Sequence, residues 1–290
     1  MIFQKHRKPK KITTMTIYNF KHISGDKTFF MGDMHGNFKS AAYYIKQHQN
    51  IFTNSIIISL GDCGLGFEKY NYYMEILWKA NKTLQKLNTY IIMIRGNHDD
   101  PDYFINQKIQ LSNIFTIPDY TVIQTNNNKN NILCIGGALS TDKDERLKEE
   151  DRINKHRTCK RKLYWDNELP ILNVTEINNI VKSNININIL ATHTIPQYIT
   201  LYHNTNIPTT YGKYIKYQTT TNTIDNIIMN DIFTQLSKSF NIKQWFAGHL
   251  HKPLIGKKEN TTIHVMPLID NKHFLTENMK NQTIGNITNY

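Results

Sequence analysis

Residues 28–37 read TFFMGDMHGN, a short run of mostly apolar residues followed by glycines that flank a carboxylate and an imidazole. An apolar run of this length bounded by turn residues predicts a buried β-strand at Thr28–Met31. Asp33 and His35 would then lie just past the carboxyl end of that strand, where open α/β sheets hold their ligands. The stretch therefore predicts an α/β fold with a polar site at one edge of a sheet.

The same arrangement recurs along the chain, because other predicted strands also end in oxygen or imidazole side chains. The runs Ser55–Leu60, Tyr90–Ile94, Ile187–Thr192 and Gln244–Ala247 are followed by Gly61-Asp62, Gly96-Asn97-His98-Asp99, His193 and Gly248-His249-Leu250-His251, respectively. Further strands are predicted at Ile132–Ile135 and Thr261–Val265, and helices at Phe38–Gln49, Asn71–Leu87, Val174–Lys182 and Asp225–Phe240. Strands that alternate with helices predict a layered α/β architecture.

The side chains at these strand ends are suited to binding metal ions. Carboxylates, an amide oxygen and neutral imidazoles are ligands for divalent ions such as Mn²⁺, Fe²⁺ or Zn²⁺, and no thiolate is needed. One carboxylate can bridge two ions held about 3.5–4 Å apart. Glycines beside these residues allow sharp turns and keep Cβ atoms clear of a substrate. The pattern therefore predicts a two-metal site.

The composition limits the classes of protein that the chain can belong to. A hydrophobic fraction of 39% allows a sizeable packed core. No apolar run approaches the roughly 18 residues of a membrane span, and the N-terminus is charged where a secretory signal would be apolar. Three scattered cysteines argue against a disulfide framework. We therefore expect a soluble, cytoplasmic protein.

The formal net charge of +12 predicts attraction to anionic partners such as nucleotides or nucleic acid, although a lysine-rich surface with a basic arm explains it equally well. We expect a basic arm or first strand at residues 1–26, one domain at residues 27–275 and a polar tail at residues 276–290. Residues 141–168 and 202–226 show neither a strand nor a helix pattern. Loops of this length inside a domain are usually functional or disordered.

The motifs resemble those of a known enzyme family. Asp33-x-His35, Gly61-Asp62, Gly96-Asn97-His98-Asp99, His193 and Gly248-His249-x-His251 are similar, in kind and in order, to the five motifs of the calcineurin-like metallophosphoesterases. The resemblance implies a four-layer α/β/β/α sandwich of two mixed sheets. It also implies a hydrolase in which a hydroxide between two metal ions attacks a phosphomonoester or phosphodiester.

The resemblance further implies a role for each site residue. The implied ligands are Asp33, His35 and His251 for one ion, Asn97, His193 and His249 for the other, and Asp62 for both. His98 would protonate the leaving-group oxygen or steady the transition state, with Asp99 orienting it, and Arg95 would contact a phosphate oxygen. Mn²⁺ is the first expectation for both ions, with Fe, Zn²⁺, Ni²⁺ or Mg²⁺ as alternatives.

A narrower resemblance covers the segment after Ile135. Gly136-Gly137-Ala138-Leu139-Ser140-Thr141-Asp142, with Arg146, Tyr164-Trp165 and Glu168, is similar to a pattern in a compact bacterial and phage branch described as serine/threonine phosphatase-like. It implies that Asp142 and Arg146 lie near the substrate, with Arg146 able to hold a phosphate. The chain lacks the second Asp and the Arg of the protein-phosphatase motif GDxxDRG, which favours small phosphorylated molecules or nucleotides over phosphoproteins.

Each site residue also has a structural alternative. Asp33 and Asp62 fit helix caps or turns, Asn97 a left-handed turn, Arg95 an ion pair, His98 a buried hydrogen-bonded histidine, and Asp142 with Arg146 a helical i, i+4 pair. Three other functions stay open as well. They are a protein serine/threonine phosphatase, a nucleic-acid-binding protein or nuclease on the same fold, and an inactive scaffold.

Overall fold

The computed structural model describes residues 16–20, 28–125, 130–197, 199–202, 216–219, 223–269 and 285–286. Its strands, numbered in chain order, are β1 (Ile17–Asn19), β2 (Thr28–Met31), β3 (Ile56–Ser59), β4 (Tyr90–Met93), β5 (Ile114–Thr116), β6 (Thr121–Thr125), β7 (Asn130–Ile135), β8 (Ile189–Thr192), β9 (Ile199–Tyr202), β10 (Lys216–Thr219), β11 (Gln244–Ala247), β12 (Leu254–Lys258), β13 (Thr261–Val265) and β14 (Gly285–Asn286). Its helices are α1 (Phe38–Gln47), α2 (Gln49–Phe52), α3 (Tyr70–Lys86), α4 (Asp102–Ile105), α5 (Lys143–Asn154), α6 (Val174–Lys182) and α7 (Ile224–Ser237). Of these helices, none has the length and apolar character needed to cross a membrane.

The smaller sheet has the order β14-β2-β3-β4-β5. Strands β2 to β5 are parallel to one another, and β14 pairs antiparallel with β2. Helices α1 and α2 connect β2 to β3, and α3 connects β3 to β4. Because parallel strands end at the same edge of a sheet, the loops after β2, β3 and β4 lie side by side.

The larger sheet is mixed, with the order β1-β6-β7-β8-β11-β13-β12-β9-β10. Its centre is parallel, because β8 pairs with β7 and β11, and β11 pairs with β13, all in the same direction. Antiparallel pairs lie on both sides of this centre, such as β6 with β7 and β12 with β13. The loops after β8 and β11 are therefore neighbours at the carboxyl edge.

Alternation of side chains along the strands divides the apolar residues between three cores. On β2, Phe29 faces the core beneath α1 and α3, whereas Phe30 faces the larger sheet. The ring of Phe30 stacks on that of Phe246 from β11, with 3.7 Å between ring centroids. The neighbouring Trp245 points the other way, into the core beneath α6 and α7. The predicted four-layer α/β/β/α sandwich is thus confirmed.

Most predicted elements form close to their predicted bounds. The strands at Thr28–Met31, Gln244–Ala247 and Thr261–Val265 and the helix at Val174–Lys182 have the predicted limits. The helix predicted at Phe38–Gln49 instead ends at Gln47, and a separate short helix, α2, follows it. Short apolar runs and amphipathic stripes were therefore sufficient to locate the elements that enclose the cores.

The prediction of no regular structure was wrong for part of residues 141–168, where α5 forms. Arg146 is the one buried residue of this helix, so α5 has no apolar stripe to indicate a helix in the sequence. Within residues 202–226, β10 and the start of α7 are present, and residues 203–215 and 220–222 lie outside the described residues. The basic run near the N-terminus, at residues 5–11, also lies outside them.

Candidate metal centre

Loops from both sheets meet between the carboxyl edges of their strands. The loops after β2 and β3 are joined by hydrogen bonds in which the backbone N–H groups of Met34 and His35 donate to the carbonyl oxygen of Asp62, at 3.1 and 2.7 Å. The loops after β8 and β11 are joined by the backbone N–H of Gly248, which donates to the carbonyl of His193 at 3.0 Å. The backbone N–H groups of His98 and His249 donate to Oδ1 of Asp62 and to Oδ1 of Asp33, at 2.7 and 3.0 Å, so the five predicted strand ends converge on one place.

Four of the predicted ligands form one compact cluster. Ligand atoms of Asp33, His35, Asp62 and His251 all lie within 4.8 Å of one another, a spacing that could hold a metal ion. Nε2 of His251 lies 2.9 Å from Oδ2 of Asp33, and Nε2 of His35 lies 3.7 Å from Oδ2 of Asp62. The cluster joins residues from the smaller sheet to one from the larger sheet.

The other three predicted ligands lie on the opposite side of Asp62. Nε2 of His193 is 2.9 Å from Oδ1 of Asn97 and 3.2 Å from Oδ1 of Asp62. The ring of His249 packs edge-on against that of His193, with 5.0 Å between centroids. Burial and the charge of His193 lower the pKa of His249 to about 4, so His249 is neutral near pH 7 and its lone pair is available.

The arrangement of nitrogen lone pairs fits metal ions. Nδ1 of His193 donates to the carbonyl of Leu60 at 2.7 Å, so in the neutral ring Nε2 carries a lone pair. That lone pair faces two oxygen atoms, from Asp62 and Asn97, and neither supplies a proton. Likewise, Nε2 of His35 and Nε2 of His251 face each other at 3.3 Å. Cations between such groups would satisfy all of them, and the donor types suit divalent ions.

When no cation is bound, protonation of a histidine can instead offset the negative charge of the buried carboxylate. Burial lowers the pKa of His193, but the negative charge of Asp62 outweighs this effect and raises it to about 9. Burial raises the pKa of Asp62, but His193 and His98 lower it by a larger amount. The pKa of Asp62 therefore lies well below its usual value. Asp62 is therefore an ionised carboxylate that is 1% exposed and surrounded by imidazoles.

The backbone is left-handed at four of the seven predicted ligands. The φ angles are 44° at His35, 46° at Asp62, 68° at His249 and 57° at His251. Residues other than glycine occupy this region at a cost of roughly 1–3 kcal/mol each, and they cluster at functional sites. The surrounding fold therefore holds these side chains in directions that an extended strand end would not give.

The glycines of the motifs make room for the ligands themselves. A Cβ at Gly96 would lie 2.1 Å from Oδ1 of Asp62, and one at Gly61 would lie 2.3 Å from Nδ1 of His193. A Cβ at Gly248 would lie 2.4 Å from Oδ1 of Asp33. These glycines were predicted to keep Cβ atoms clear of a substrate, whereas the contacts that a Cβ would make are with neighbouring ligand side chains.

His98 lies beside Asp62 and bridges two carboxylates. Its Nδ1 is 2.9 Å from Oδ2 of Asp62, and its Nε2 is 3.1 Å from Oδ2 of Asp142. Burial lowers the pKa of His98, but Asp62, and to a smaller extent Asp142, raise it above its usual value. Each ring nitrogen lies within hydrogen-bonding distance of a carboxylate oxygen, which favours the doubly protonated ring, although Nδ1 also lies 3.0 Å from the amide Nδ2 of Asn97.

Asp99 has a different environment from the one predicted, because its contacts are with backbone rather than with His98. Its two oxygens accept hydrogen bonds from the N–H groups of Cys63, Gly64, Leu65 and Gly96, at 2.8–3.0 Å. Burial and the nearby charge of Asp62 raise the pKa of Asp99 to about 7, and the N–H donors oppose that shift. Asp99 thus fixes the loop that carries Asp62, and Asp142 and Asp62 orient His98.

Arg95 does not face the cluster with free donors. It is 3% exposed and forms an ion pair with Asp119, with 2.7 Å between Nη2 and Oδ2. The guanidinium also donates to the carbonyls of Asn167, Glu168 and Leu169. These contacts favour the structural ion pair over the phosphate contact as the role of Arg95.

A buried hydrogen-bond network forms around Ser140, a residue for which the sequence predicted no role. Nδ2 of Asn97 donates to Oγ of Ser140 at 3.1 Å, and that hydroxyl donates to Oε2 of Glu168 at 2.6 Å. Nη1 of Arg146 also donates to Oγ of Ser140, at 2.8 Å. The network turns Oδ1 of Asn97 towards His193. Ser140 and Glu168 both belong to the family-like pattern that follows Ile135, and this pattern is the sequence signal from which the network could have been predicted.

The predicted substrate contacts lie at the edge of the cluster. Asp142 reaches His98, as described, and lies 3.9 Å from Nη1 of Arg146. Arg146 is largely buried and donates to the carbonyls of Leu163 and Asn97 as well as to Ser140. Asp142 is therefore close to the reacting groups, whereas much of Arg146 is committed to protein contacts.

The geometry agrees with comparisons with known proteins. No curated protein matches the chain. The sequence profile of the family described as calcineurin-like phosphoesterase matches residues 27–253, which include every residue of the cluster and most of the chain. The protein therefore belongs to the calcineurin-like phosphoesterase family.

Proposed function

We propose that the protein uses two divalent metal ions to hydrolyse a phosphomonoester or phosphodiester of a small molecule or nucleotide. The observation that carries this proposal is the position of Asp62 between the two groups of ligands. Its Oδ1 lies 3.2 Å from Nε2 of His193, and its Oδ2 lies 3.7 Å from Nε2 of His35. One buried carboxylate shared by two sets of donors is the arrangement that a pair of ions requires.

The proposed ligands divide into two sets around Asp62. They are Asp33, His35 and His251 for one ion, and Asn97, His193 and His249 for the other. Bound divalent ions would activate water at neutral pH and offset the charge that builds on the phosphoryl oxygens. We favour Mn²⁺ for both positions, because oxygen and imidazole ligands without thiolates suit it.

His98 is the proposed proton donor. Asp62 and Asp142 favour its protonated form, and its side chain is 24% exposed and thus open to a substrate. A leaving-group oxygen that replaced Asp142 at Nε2 would receive that proton as the phosphorus–oxygen bond breaks. Asp142 would hold the proton in position until the substrate arrives.

The contacts of the two arginines support a small substrate. Arg95 is paired with Asp119, and Arg146 is largely committed to carbonyls and Ser140. Neither guanidinium is free to bind a phosphate bidentately, and the sequence also lacks the Arg of the protein-phosphatase motif GDxxDRG. We therefore favour aryl phosphates, nucleotides and similar molecules over phosphoproteins as substrates.

The test is a screen of metal ions against substrates, made with wild type and Asp62→Asn. Mn²⁺, Ni²⁺, Mg²⁺ and Zn²⁺ would be combined with an aryl phosphate, a bis-aryl phosphate, nucleotides and a phosphopeptide. We expect metal-dependent turnover by wild type, strongest with the smaller substrates, and a loss of at least a hundredfold in Asp62→Asn because the shared charge is gone.

Asp231→Asn is the matched control, because Asp231 is exposed on α7, away from the cluster. It should retain wild-type turnover. Undiminished activity of a folded Asp62→Asn protein would refute the shared-ligand assignment. Preferential hydrolysis of the phosphopeptide would replace the small-substrate proposal with a protein phosphatase.

A further inference from the structure

The two outer helical layers of the sandwich differ in charge. Helices α1 and α3, which cover the smaller sheet, contain five lysines and one acidic residue: Lys39, Lys46, Lys79, Lys82, Lys86 and Glu75. Helices α6 and α7, which cover the larger sheet, contain one lysine and three acidic residues: Lys182, Glu176, Asp225 and Asp231. Among the described helices, a net positive charge is thus found only on α1 and α3, since the basic residues of α5 are outnumbered by its acidic ones.

Aromatic side chains are exposed among these lysines. Tyr43 is 59% exposed on α1, and Tyr72 and Trp78 are each 52% exposed on α3. The ammonium group of Lys82 lies 3.5 Å from the centroid of the Trp78 ring. The large hydrophobic residues exposed on these two described helices are all tyrosine or tryptophan, with no leucine, isoleucine or phenylalanine. Such a composition is unlike that of a lipid-inserting face, which needs aliphatic or phenylalanine side chains.

The aromatic and basic residues of the two helices form one surface. Helix α1 leads from β2 to β3 and α3 from β3 to β4, and these strands are parallel, so both helices run in the same direction. Lys79 donates to Glu75 at 2.9 Å, and Lys39 of α1 is close enough that it also lowers the pKa of Glu75. Tyr43 lies one turn after Lys39 on α1, and Trp78 lies three residues after Glu75 on α3, in the same direction along the two helices.

We propose that this face of α1 and α3 binds single-stranded nucleic acid. Ammonium groups spaced along two helices match the phosphates of a nucleic-acid strand, and exposed aromatic rings stack on unpaired bases. Lys39 is four residues past His35, so this surface follows in the sequence directly after the loop that carries Asp33 and His35. The proposal concerns binding alone and does not depend on the hydrolytic function, because none of its residues belongs to the metal cluster.

The experiment is a fluorescence-anisotropy titration of labelled single-stranded 20-mers of DNA and RNA with the full chain, in EDTA and over a series of salt concentrations. One variant, Lys39→Gln/Lys46→Gln/Lys79→Gln/Lys82→Gln, removes charge from the surface, and a second, Tyr43→Ala/Trp78→Ala, removes the rings. The control removes the same charge elsewhere, at exposed lysines of other elements: Lys148→Gln/Lys182→Gln/Lys238→Gln/Lys243→Gln. The melting temperature of each variant, and its aryl-phosphate turnover measured separately with Mn²⁺ added, check that the variant is folded.

We expect the lysine variant to bind at least tenfold more weakly and to lower the salt slope by about 3, since each phosphate contact on a single strand contributes about 0.7. The aromatic variant should also lose about tenfold in affinity, with little change in slope. The control should bind like wild type within about twofold, because its substitutions leave α1 and α3 unchanged. The basic residues near the N-terminus are present in every variant, so they do not contribute to the differences.

Several outcomes would overturn the proposal. These are an absence of binding by wild type at low salt, equal losses in the surface and control variants, and affinity that survives in both surface variants. A blunt duplex of the same length that binds as tightly as the single strand would remove the argument for stacking. Binding to anionic lipid vesicles without binding to the oligonucleotides would identify a membrane surface instead.

Discussion

At the scale of single residues, the site depends on backbone conformations that cannot be predicted from the sequence pattern. His35, Asp62, His249 and His251 are left-handed, although none is a glycine. Sequence reasoning could place these residues at strand ends, because an apolar run followed by a polar residue marks a strand end. It could not show which way each side chain points, since that direction depends on the turn that the chain adopts there.

Room for the ligands is also decided residue by residue. The glycines of the motifs signalled special backbone positions, but the sequence does not reveal what a side chain there would touch. At Gly96 the neighbour is Asp62, and at Gly61 it is His193. Each of these glycines precedes a site residue in one loop and makes space for a ligand of another loop. The motifs are therefore coupled in space, and this explains why several occur together in one chain.

The orientation of Asn97 leads to a prediction about Ser140. An amide has one oxygen and one nitrogen end, and only the oxygen can bind a cation. The hydroxyl of Ser140 accepts from Nδ2 of Asn97 and thereby directs Oδ1 towards His193. Ser140→Ala should weaken one of two Mn²⁺ sites by about 10–100-fold, as removal of groups that support ligands typically does. Calorimetric titration with Mn²⁺ would measure both sites.

Ser140→Thr is the control for this prediction, because it keeps a hydroxyl at the same position and should restore the weakened site. A merely structural role for Ser140 would lower the melting temperature without changing the metal affinities of the folded protein. Two Mn²⁺ sites of unchanged affinity in Ser140→Ala would therefore contradict the proposed orientation of Asn97.

At the scale of secondary-structure elements, the sequence predicted those helices and strands that have a clear pattern of apolar residues. Strands β2, β11 and β13 and helix α6 have the bounds that the sequence indicated, because each carries a buried run or a clear apolar stripe. Helix α5 was missed, since its sequence KDERLKEEDRIN is almost entirely charged. Its place in the fold depends instead on polar tertiary contacts: those of Arg146, its one buried residue, and those of Glu150 and Asn154 with the backbone of Leu163 and Arg161.

The dependence of α5 on Arg146 leads to a prediction. The guanidinium donates to Leu163 and Asn97 carbonyls and lies 5.7–5.9 Å from the ring centroids of Phe67, Tyr164 and Trp165. Hydrogen bonds to a charged group contribute roughly 1.5–3 kcal/mol each. Arg146→Ala should therefore let α5 detach, and a glutamate-specific protease should cut within α5 at least tenfold faster than in wild type.

Arg152 provides the matched control on the same helix. It is exposed and pairs only locally, with Glu149 three residues earlier. Arg152→Ala should thus be cut within α5 at the wild-type rate, and neither substitution removes a glutamate at which the protease cuts. Equal protection of α5 in both variants would mean that Arg146 does not dock the helix.

At the scale of the whole molecule, the cluster lies where the two sheets meet. Asp33, Asp62 and Asn97 follow strands of the smaller sheet, whereas His193, His249 and His251 follow strands of the larger one. The sequence indicated that both groups of strands end in ligands, and the family resemblance supplied the two-sheet architecture. Neither gave the distances between the sheets, because these depend on how the central core around Phe30 and Phe246 packs.

This position predicts that metal ions stabilise the whole fold rather than one loop. An ion whose concentration is a hundred times its dissociation constant stabilises the folded protein by about 2.7 kcal/mol per site. For a chain of 290 residues this corresponds to a rise in melting temperature of about 4 °C for each ion bound. We expect Mn²⁺ to raise the melting temperature of wild type and EDTA to lower it. In Asp62→Asn the shift should largely disappear, because both ions lose a shared ligand, and in Asp231→Asn it should persist. A calorimetric scan that gave the same Mn²⁺-dependent shift in wild type and Asp62→Asn would mean that the cation acts elsewhere on the protein.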